Sequence, residues 1–161
     1  MIRQMMESDS QAVLAIYGFG LETRNATFET EIPPWHEWKA RHHPFCRFVF
    51  EDDGEVRGWA ALAPVSSRPC YAGVAEVSMY IAGHALGRGI ASALMKHLIE
   101  QSEAEGIWSL YASIFPENIA SHRLLLRHGF REIGRRERIA QLDGHWRDTL
   151  LFERRSETVG T

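Results

Sequence analysis

The chain of 161 residues has only two cysteines, Cys46 and Cys70, and they stand in no metal-ligand spacing. That excludes a disulfide scaffold. A single bridge stays open beside the simpler reading of two ordinary thiols in a reducing cytosol. No stretch reaches the ~20 apolar residues of a membrane-spanning helix. The opening MIRQMMESDS lacks both the apolar core and the cleavage pattern of a signal peptide. Positive charge is not in excess: 18 Lys and Arg against 21 Asp and Glu leave a net charge of −3, which speaks against nucleic acid or a membrane surface as partner. There is no internal repeat and no low-complexity segment. Apolar residues make up 45%, enough for a proper core, and the length suits one domain. The expectation is a single cytoplasmic domain over residues 1–155, followed by a flexible tail at 156–161.

Pattern reading divides the chain as follows. Residues 2–6 form a short strand. Ser8 and Gln11 have capping-box spacing, and Ala12, Val13, Ile16 and Tyr17 follow at helical spacing up to Gly18. A long polar loop covers 23–34, and Pro34 opens a second helix that Pro44 closes. FCRFVFE and EVRGWAALAPV read as strands around the hairpin signal Asp52-Asp53-Gly54. VAEVSMYI at 74–81 alternates like a strand. A helix over about 89–105 presents Ile90, Leu94 and Leu98 on one stripe. IWSLYASI is a further strand, and a helix opening near Pro116 and Asn118 stops at Gly129, a C′ glycine. A final hairpin turns at LDG. The order β-α-α-β-β-β-α-β-α-β-β predicts an α/β fold with one mixed sheet and helices packed on it.

The chemistry concentrates between the strand at 74–81 and the helix after it, in GHALGRGIA. A helix begins with backbone N–H groups that have no partner inside it, and its dipole favours an anion there. Glycine lets a phosphate approach without meeting a Cβ. Leu86, Gly87, Arg88, Gly89, Ile90 and Ala91 are thus candidates to cradle a phosphate or diphosphate; a plain tight turn is the alternative. A nucleotide P-loop would end in Gly-Lys-Ser/Thr where this chain has Gly-Ile-Ala. A dinucleotide fold needs an acidic residue after the next strand, and IWSLYASIF offers none.

The stretch His84-Ala85-Leu86-Gly87-Arg88-Gly89 resembles the diphosphate loop Gln/Arg-x-x-Gly-x-Gly/Ala of the GCN5-related N-acetyltransferase (GNAT) superfamily. Asn118-Ile119-Ala120-Ser121, with Gly129-Phe130 downstream, resembles the second cofactor motif of that family. Within it, TFETE (27–31), EDDGEVRGWAAL (51–62), RPCY (68–71) with AEVSMYI (75–81), and LDGHWRD (142–148) are similar to the phosphinothricin and methionine sulfoximine acetyltransferase branch. The resemblance implies a twisted mixed sheet in which two parallel strands splay apart, with acetyl-CoA as co-substrate and no metal. The backbone of Met79, Tyr80 and Ile81 would hold the cofactor arm in the gap, with Asn118 and Ser121 on its other side. For Asn118 a plain helix N-cap is the alternative. It further implies a small amino-acid-like acceptor shaped by Phe28 and Glu29, and a homodimer.

Transfer to an amine needs a neutral nitrogen, so a base is required. Glu76 is the candidate: it lies on an apolar strand, on the same face as Ser78 and Tyr80, and it matches the base proposed for the branch. A charge on a solvated strand face is the alternative. Arg68 is a candidate clamp for an acceptor carboxylate or a surface arginine. Trp35, Trp38 and Trp59 are pocket walls or aromatic core. His84 departs from the Gln/Arg of the pattern. Leu125 stands where relatives carry a polar residue beside the leaving thiolate, so no general acid is evident. The AGV after Tyr71 also departs, which leaves the acceptor open. The basic run at 134–141 lies near the cofactor's 3′-phosphate or is a solvated strand face, the latter preferred. His36, His42 and His43 have no metal-ligand spacing and read as surface histidines. The function expected is acetyl transfer from acetyl-CoA to a small amino acid by direct attack in a ternary complex. A protein or peptide N-acetyltransferase, or a non-catalytic CoA-binding module, are the rivals.

Overall fold

A computed structural model describes residues 1–161. Seven strands form one sheet in the order β1-β2-β3-β4-β5-β7-β6. They are β1 (Ile2–Gln4), β2 (Phe48–Asp52), β3 (Glu55–Pro64), β4 (Val74–Ile81), β5 (Ser109–Ile114), β6 (Arg131–Leu142) and β7 (His145–Arg155). Every neighbouring pair is antiparallel except β4 with β5. Four helices cover the sheet: α1 (Ser10–Glu22), α2 (Trp35–Arg41), α3 (Ile90–Ala104) and α4 (Ile119–Arg127). The order of strands and helices is the expected one.

The two faces of β4 explain the layering. Tyr80 points towards α1, where its ring meets Tyr17 edge-on at 4.9 Å. On the other face, Ile81 and Ile90 of α3 close over Gly58. Ile90, Leu94 and Leu98 are all buried, as their stripe predicts. Trp59 and Trp38 are core rather than pocket walls, with 0% and 1% exposure, and the Trp59 indole donates to Val13 O at 3.1 Å. Trp35 is half-buried, stacked on Trp38 at 4.8 Å. Both tight hairpins turn on paired positive φ angles, Asp53-Gly54 (51°, 76°) and Asp143-Gly144 (50°, 78°), the geometry of a type I′ turn.

Three local expectations differ. The Ser8–Gln11 capping box is not what starts the first helix. A short 3-10 turn at Glu7–Asp9 leads into it, and Asp9 closes that turn: its Oδ2 accepts the Met6 N–H at 2.7 Å, and its two oxygens accept from Arg3 at 2.8 and 2.9 Å. Helix α1 does not stop at Gly18 but runs on to Glu22. Its glycines mark close approach, not a break. A Cβ on Gly18 would meet Ile32 at 2.6 Å, and one on Gly20 would meet the Tyr80 ring at 2.5 Å. The final residues fold back on the sheet. Arg155 donates to Val159 O and Gly160 O, and Ser156 Oγ accepts the Val159 N–H at 3.0 Å. Both cysteines are free, Cys46 buried and Cys70 exposed.

Gly20→Ala separates propensity from packing. Alanine gains up to about 1 kcal/mol in a helix interior, whereas overpacking costs about 1–3 kcal/mol. Tyr80 is held between Tyr17 and Trp59 and has no room to yield. The expected result is a net loss of stability in urea unfolding, with a changed near-ultraviolet circular dichroism of the aromatic cluster. A gain in stability contradicts the close α1–β4 contact.

Candidate active site

The β4–β5 ladder holds for three residue pairs only: Val74 with Ser109, Ala75 with Leu110, and Glu76 with Tyr111. Beyond Glu76, β4 pairs with β3 alone, and beyond Tyr111, β5 pairs with β7 alone. The facing edges of 77–81 and 112–114 therefore carry backbone groups that no strand satisfies. This is the splay expected between these strands. Free edges of this kind take an extended ligand as an added strand. Met79, Tyr80 and Ile81 lie along it.

Glu76 stands at the point where the strands part. It is half-buried, and burial raises its carboxyl above the ordinary glutamate range while the Arg136 guanidinium of β6 pulls it back down. Ser78 and Tyr80 follow on the same face. Burial pushes the Tyr80 phenol far up, and the charges of Glu76 and Glu29 add to the effect. Tyr17 is raised for the same reasons, burial first and Glu29 second. Glu29 of the 23–34 loop thus bears on the same phenol as Glu76. Phe28 sits edge-on to Phe115 at 4.9 Å, just past the end of β5.

The glycine-rich loop has the predicted geometry. Gly87 and Gly89 adopt φ of 76° and 79°, and a Cβ on either would meet nothing within 4 Å. Gly89 is the N-cap of α3 and offers no side chain to it. The N–H groups of residues 87–92 find no acceptor in the chain. Open backbone donors at a helix start, with no side chain in the way, suit a diphosphate. Leu86 is exposed. Arg88 is not aimed at this cradle: its Nη2 donates to Asp52 Oδ2 at 2.8 Å. His84, at the departing position, is backed by Arg57, whose Nη1 lies 2.6 Å from the His84 Nε2.

Asn118 fills the alternative role given for it, a helix N-cap. Its Oδ1 accepts the Ser121 N–H at 3.2 Å and so caps α4. Its Nδ2 donates to Asn25 O of the 23–34 loop at 3.2 Å. Arg68 is not brought to Glu76; it is exposed and stacks over Tyr71 at 5.5 Å. Leu125 is buried in the core, so α4 offers no proton donor there. The Cys46 thiol is buried and pushed up to about 12, which removes it as a nucleophile. No group of three or more His, Cys, Asp and Glu side chains is arranged to hold a metal. No helix is long and apolar enough to cross a membrane.

Two contributors escaped sequence reasoning. Arg136 lies on an exposed strand face, as expected of the basic run at 134–141, and its charge still bears on Glu76. Arg147 belongs to the LDGHWRD stretch but had no role assigned, and it reaches back to Arg24 and Asn25. Neither contact leaves a spacing signal, because each joins distant segments.

Residues 11–130 match the model of the acetyltransferase (GNAT) family. Among curated proteins, a phosphinothricin N-acetyltransferase of Streptomyces coelicolor is 32% identical over 95% of this chain and 94% of its own length. Two solved structures are also similar. A phosphinothricin acetyltransferase from Sinorhizobium meliloti, in complex with acetyl-CoA, has a TM-score of 0.86 at 25% identity, covering 99% of this chain and 95% of that one. A ribosomal-protein-alanine N-acetyltransferase from Brucella melitensis has a TM-score of 0.90 at 30% identity, covering 97% and 99%. The chain belongs to the GNAT acetyltransferase family, an enzyme family whose co-substrate is acetyl-CoA.

Glu76 is expected to titrate above the ~4.3 of a free glutamate, as read from its side-chain carboxyl resonance. In Arg136→Met the burial stays and the opposing charge goes, so the titration moves further up. A downward move contradicts the assignment of Arg136 to this site.

Proposed function

We propose that this GNAT enzyme transfers the acetyl group of acetyl-CoA to the amino group of a small amino acid or analogue, of the phosphinothricin or methionine sulfoximine type. The observation that carries the reading is Glu76 at the fork of β4 and β5, a half-buried carboxylate with a raised proton affinity where the two strands part. The co-substrate supplies an acetyl group already activated as a thioester. The residues of this chain do the rest. Backbone of Met79, Tyr80 and Ile81 holds the extended arm along the open edge, and the loop from Leu86 to Ala91 holds the diphosphate through its open N–H groups from Gly87 onward, with Asn118 and Ser121 on the far side. Glu76 takes a proton from the acceptor ammonium, directly or through water. The freed nitrogen bonds to the acyl carbon as the carbon–sulfur bond breaks. The thiolate leaves without a donor from α4, and the second proton shed by the nitrogen passes to that thiolate or to water. Phe28, Glu29 and Arg68 belong to the acceptor side, with Arg68 meeting a carboxylate after movement of its loop.

A second reading, acetylation of a peptide N-terminus, is favoured by the similarity to the Brucella melitensis structure. The tied-down loop at 23–25 argues for the smaller acceptor, since a peptide needs an open groove. A homodimer and a cytoplasmic location belong to the proposal as well; light scattering on the purified chain tests the first.

The test is release of CoA thiol from acetyl-CoA with free amino acids, phosphinothricin and methionine sulfoximine, against a peptide panel. Turnover is expected with the small acceptors. Glu76→Gln should lower it by about 10²–10⁴-fold, the range of a positioned base, with acetyl-CoA affinity unchanged. Turnover confined to peptides, or equal loss of rate and affinity, overturns the reading.

A further inference from the structure

The loop between α1 and α2 spans residues 23–34 without regular structure, yet it carries Phe28 and Glu29. Each fixed residue of such a segment costs about 1–2 kcal/mol of backbone entropy, so a defined loop needs anchors. One side chain supplies two of them, beside an ion pair of Arg24 with Asp143 at 3.2 Å. Arg147 of β7 donates through Nη1 to Arg24 O, and its Nη2 lies 3.3 Å from Asn25 Oδ1 and 3.2 Å from Glu117 Oε2. Its guanidinium plane lies over the Phe115 ring, 3.8 Å from the centroid. Phe115 in turn seats Phe28.

We propose that Arg147 is a positioning residue: it clamps the acceptor loop to the wall of the cofactor slot and so sets the acceptor against the thioester. The inference rests on the proposed amine acetylation for its kinetic consequence, though not for the clamp itself. Its two ends are different in kind. Arg24 and Asn25 belong to the loop that shapes the acceptor side. Glu117 and Phe115 belong to the turn that leads to Asn118. Asn118 closes the same circuit from below, since its Nδ2 donates to the Asn25 carbonyl. Arg24 shows the constraint directly: it is held at φ 54°, in the left-handed region that costs a non-glycine residue about 1 kcal/mol or more. The Arg147 side chain is only 19% exposed, so the guanidinium itself is packed, while its bonds to Arg24 and Glu117 lie at the surface. The geometry also needs arginine. A planar fork donates to two loop oxygens while its face lies on an aromatic ring, and a lysine ammonium supplies one point of charge and no plane.

A merely structural arginine would change stability and both substrates alike; a clamp changes the acceptor alone. The experiment pairs amide hydrogen exchange over residues 23–31, in the full chain without substrates, with steady-state kinetics of Arg147→Ala and Arg147→Lys. In the alanine variant the loop is expected to lose protection while β3, β4 and α3 keep theirs. Acceptor kcat/KM is expected to fall about 10–100-fold, as for a misplaced reactant, with the acetyl-CoA KM within about twofold of wild type. The lysine variant should restore neither. If Arg147→Ala does not fold, Asn25→Ala cuts the same circuit from the loop side and should reproduce the loop's loss of protection. Unchanged exchange at 23–31, or equal changes in both KM values, overturns the proposal. Should no amine be acetylated by the wild type, the exchange measurement still decides whether the clamp exists, and the failure falls on the proposed function alone.

Discussion

The candidate site depends on one interruption: the parallel ladder between β4 and β5 ends after Glu76 and Tyr111. A strand edge left without partners is costly, since each unsatisfied backbone group forfeits about 1–3 kcal/mol if water cannot replace its partner. The fork stands because both strands are tied elsewhere. β4 is paired with β3 along its whole length, from Val74's neighbour Ala75 to Ile81, and β5 with β7 along all six of its residues. The aromatic packing of Tyr17, Trp59 and Tyr80 stiffens β4 from the α1 side. What remains open is a slot lined by backbone, with a carboxylate at its closed end.

Charge is distributed around that slot in two separate groups. At the closed end, burial favours the protonated form of Glu76 and Arg136 opposes it, which leaves a group able both to take and to release a proton. The neighbouring phenols of Tyr17 and Tyr80 are raised and stay neutral. At the far end, the α3 N-terminus presents open N–H groups, while the nearest arginines are held back by carboxylates: Arg88 by Asp52 at 2.8 Å and Arg57 by Glu55 at 2.6 Å. The anion cradle is thus mainly backbone, and its positive field comes from the helix start.

Much of this was legible in the sequence because it is local. Period-two alternation marks β4, and the Gly87 and Gly89 spacing marks a turn that needs positive φ. Asn118 three residues before Ser121 marks a cap. Glycine misled at Gly18, where the signal for a helix end was a signal for close packing against Ile32. Ser8 misled as a cap because a short turn at Glu7–Asp9, closed by Asp9 on the Met6 N–H, already leads into α1. Arg136 and Arg147 were not legible at all. Arg136 acts on Glu76 only through its charge, across 60 positions of chain, and Arg147 meets Asn25 across 122; the folded β6–β7 hairpin brings both near.

The central claim is that the open β4 edge and the amides after Leu86 together receive one extended, diphosphate-bearing ligand. Amide hydrogen exchange with and without saturating CoA tests it most directly. The account predicts slowed exchange at residues 77–81 and 87–92 together, with the β6–β7 ladder unchanged. Protection confined to other surfaces, or none at either segment when CoA is bound, would contradict it.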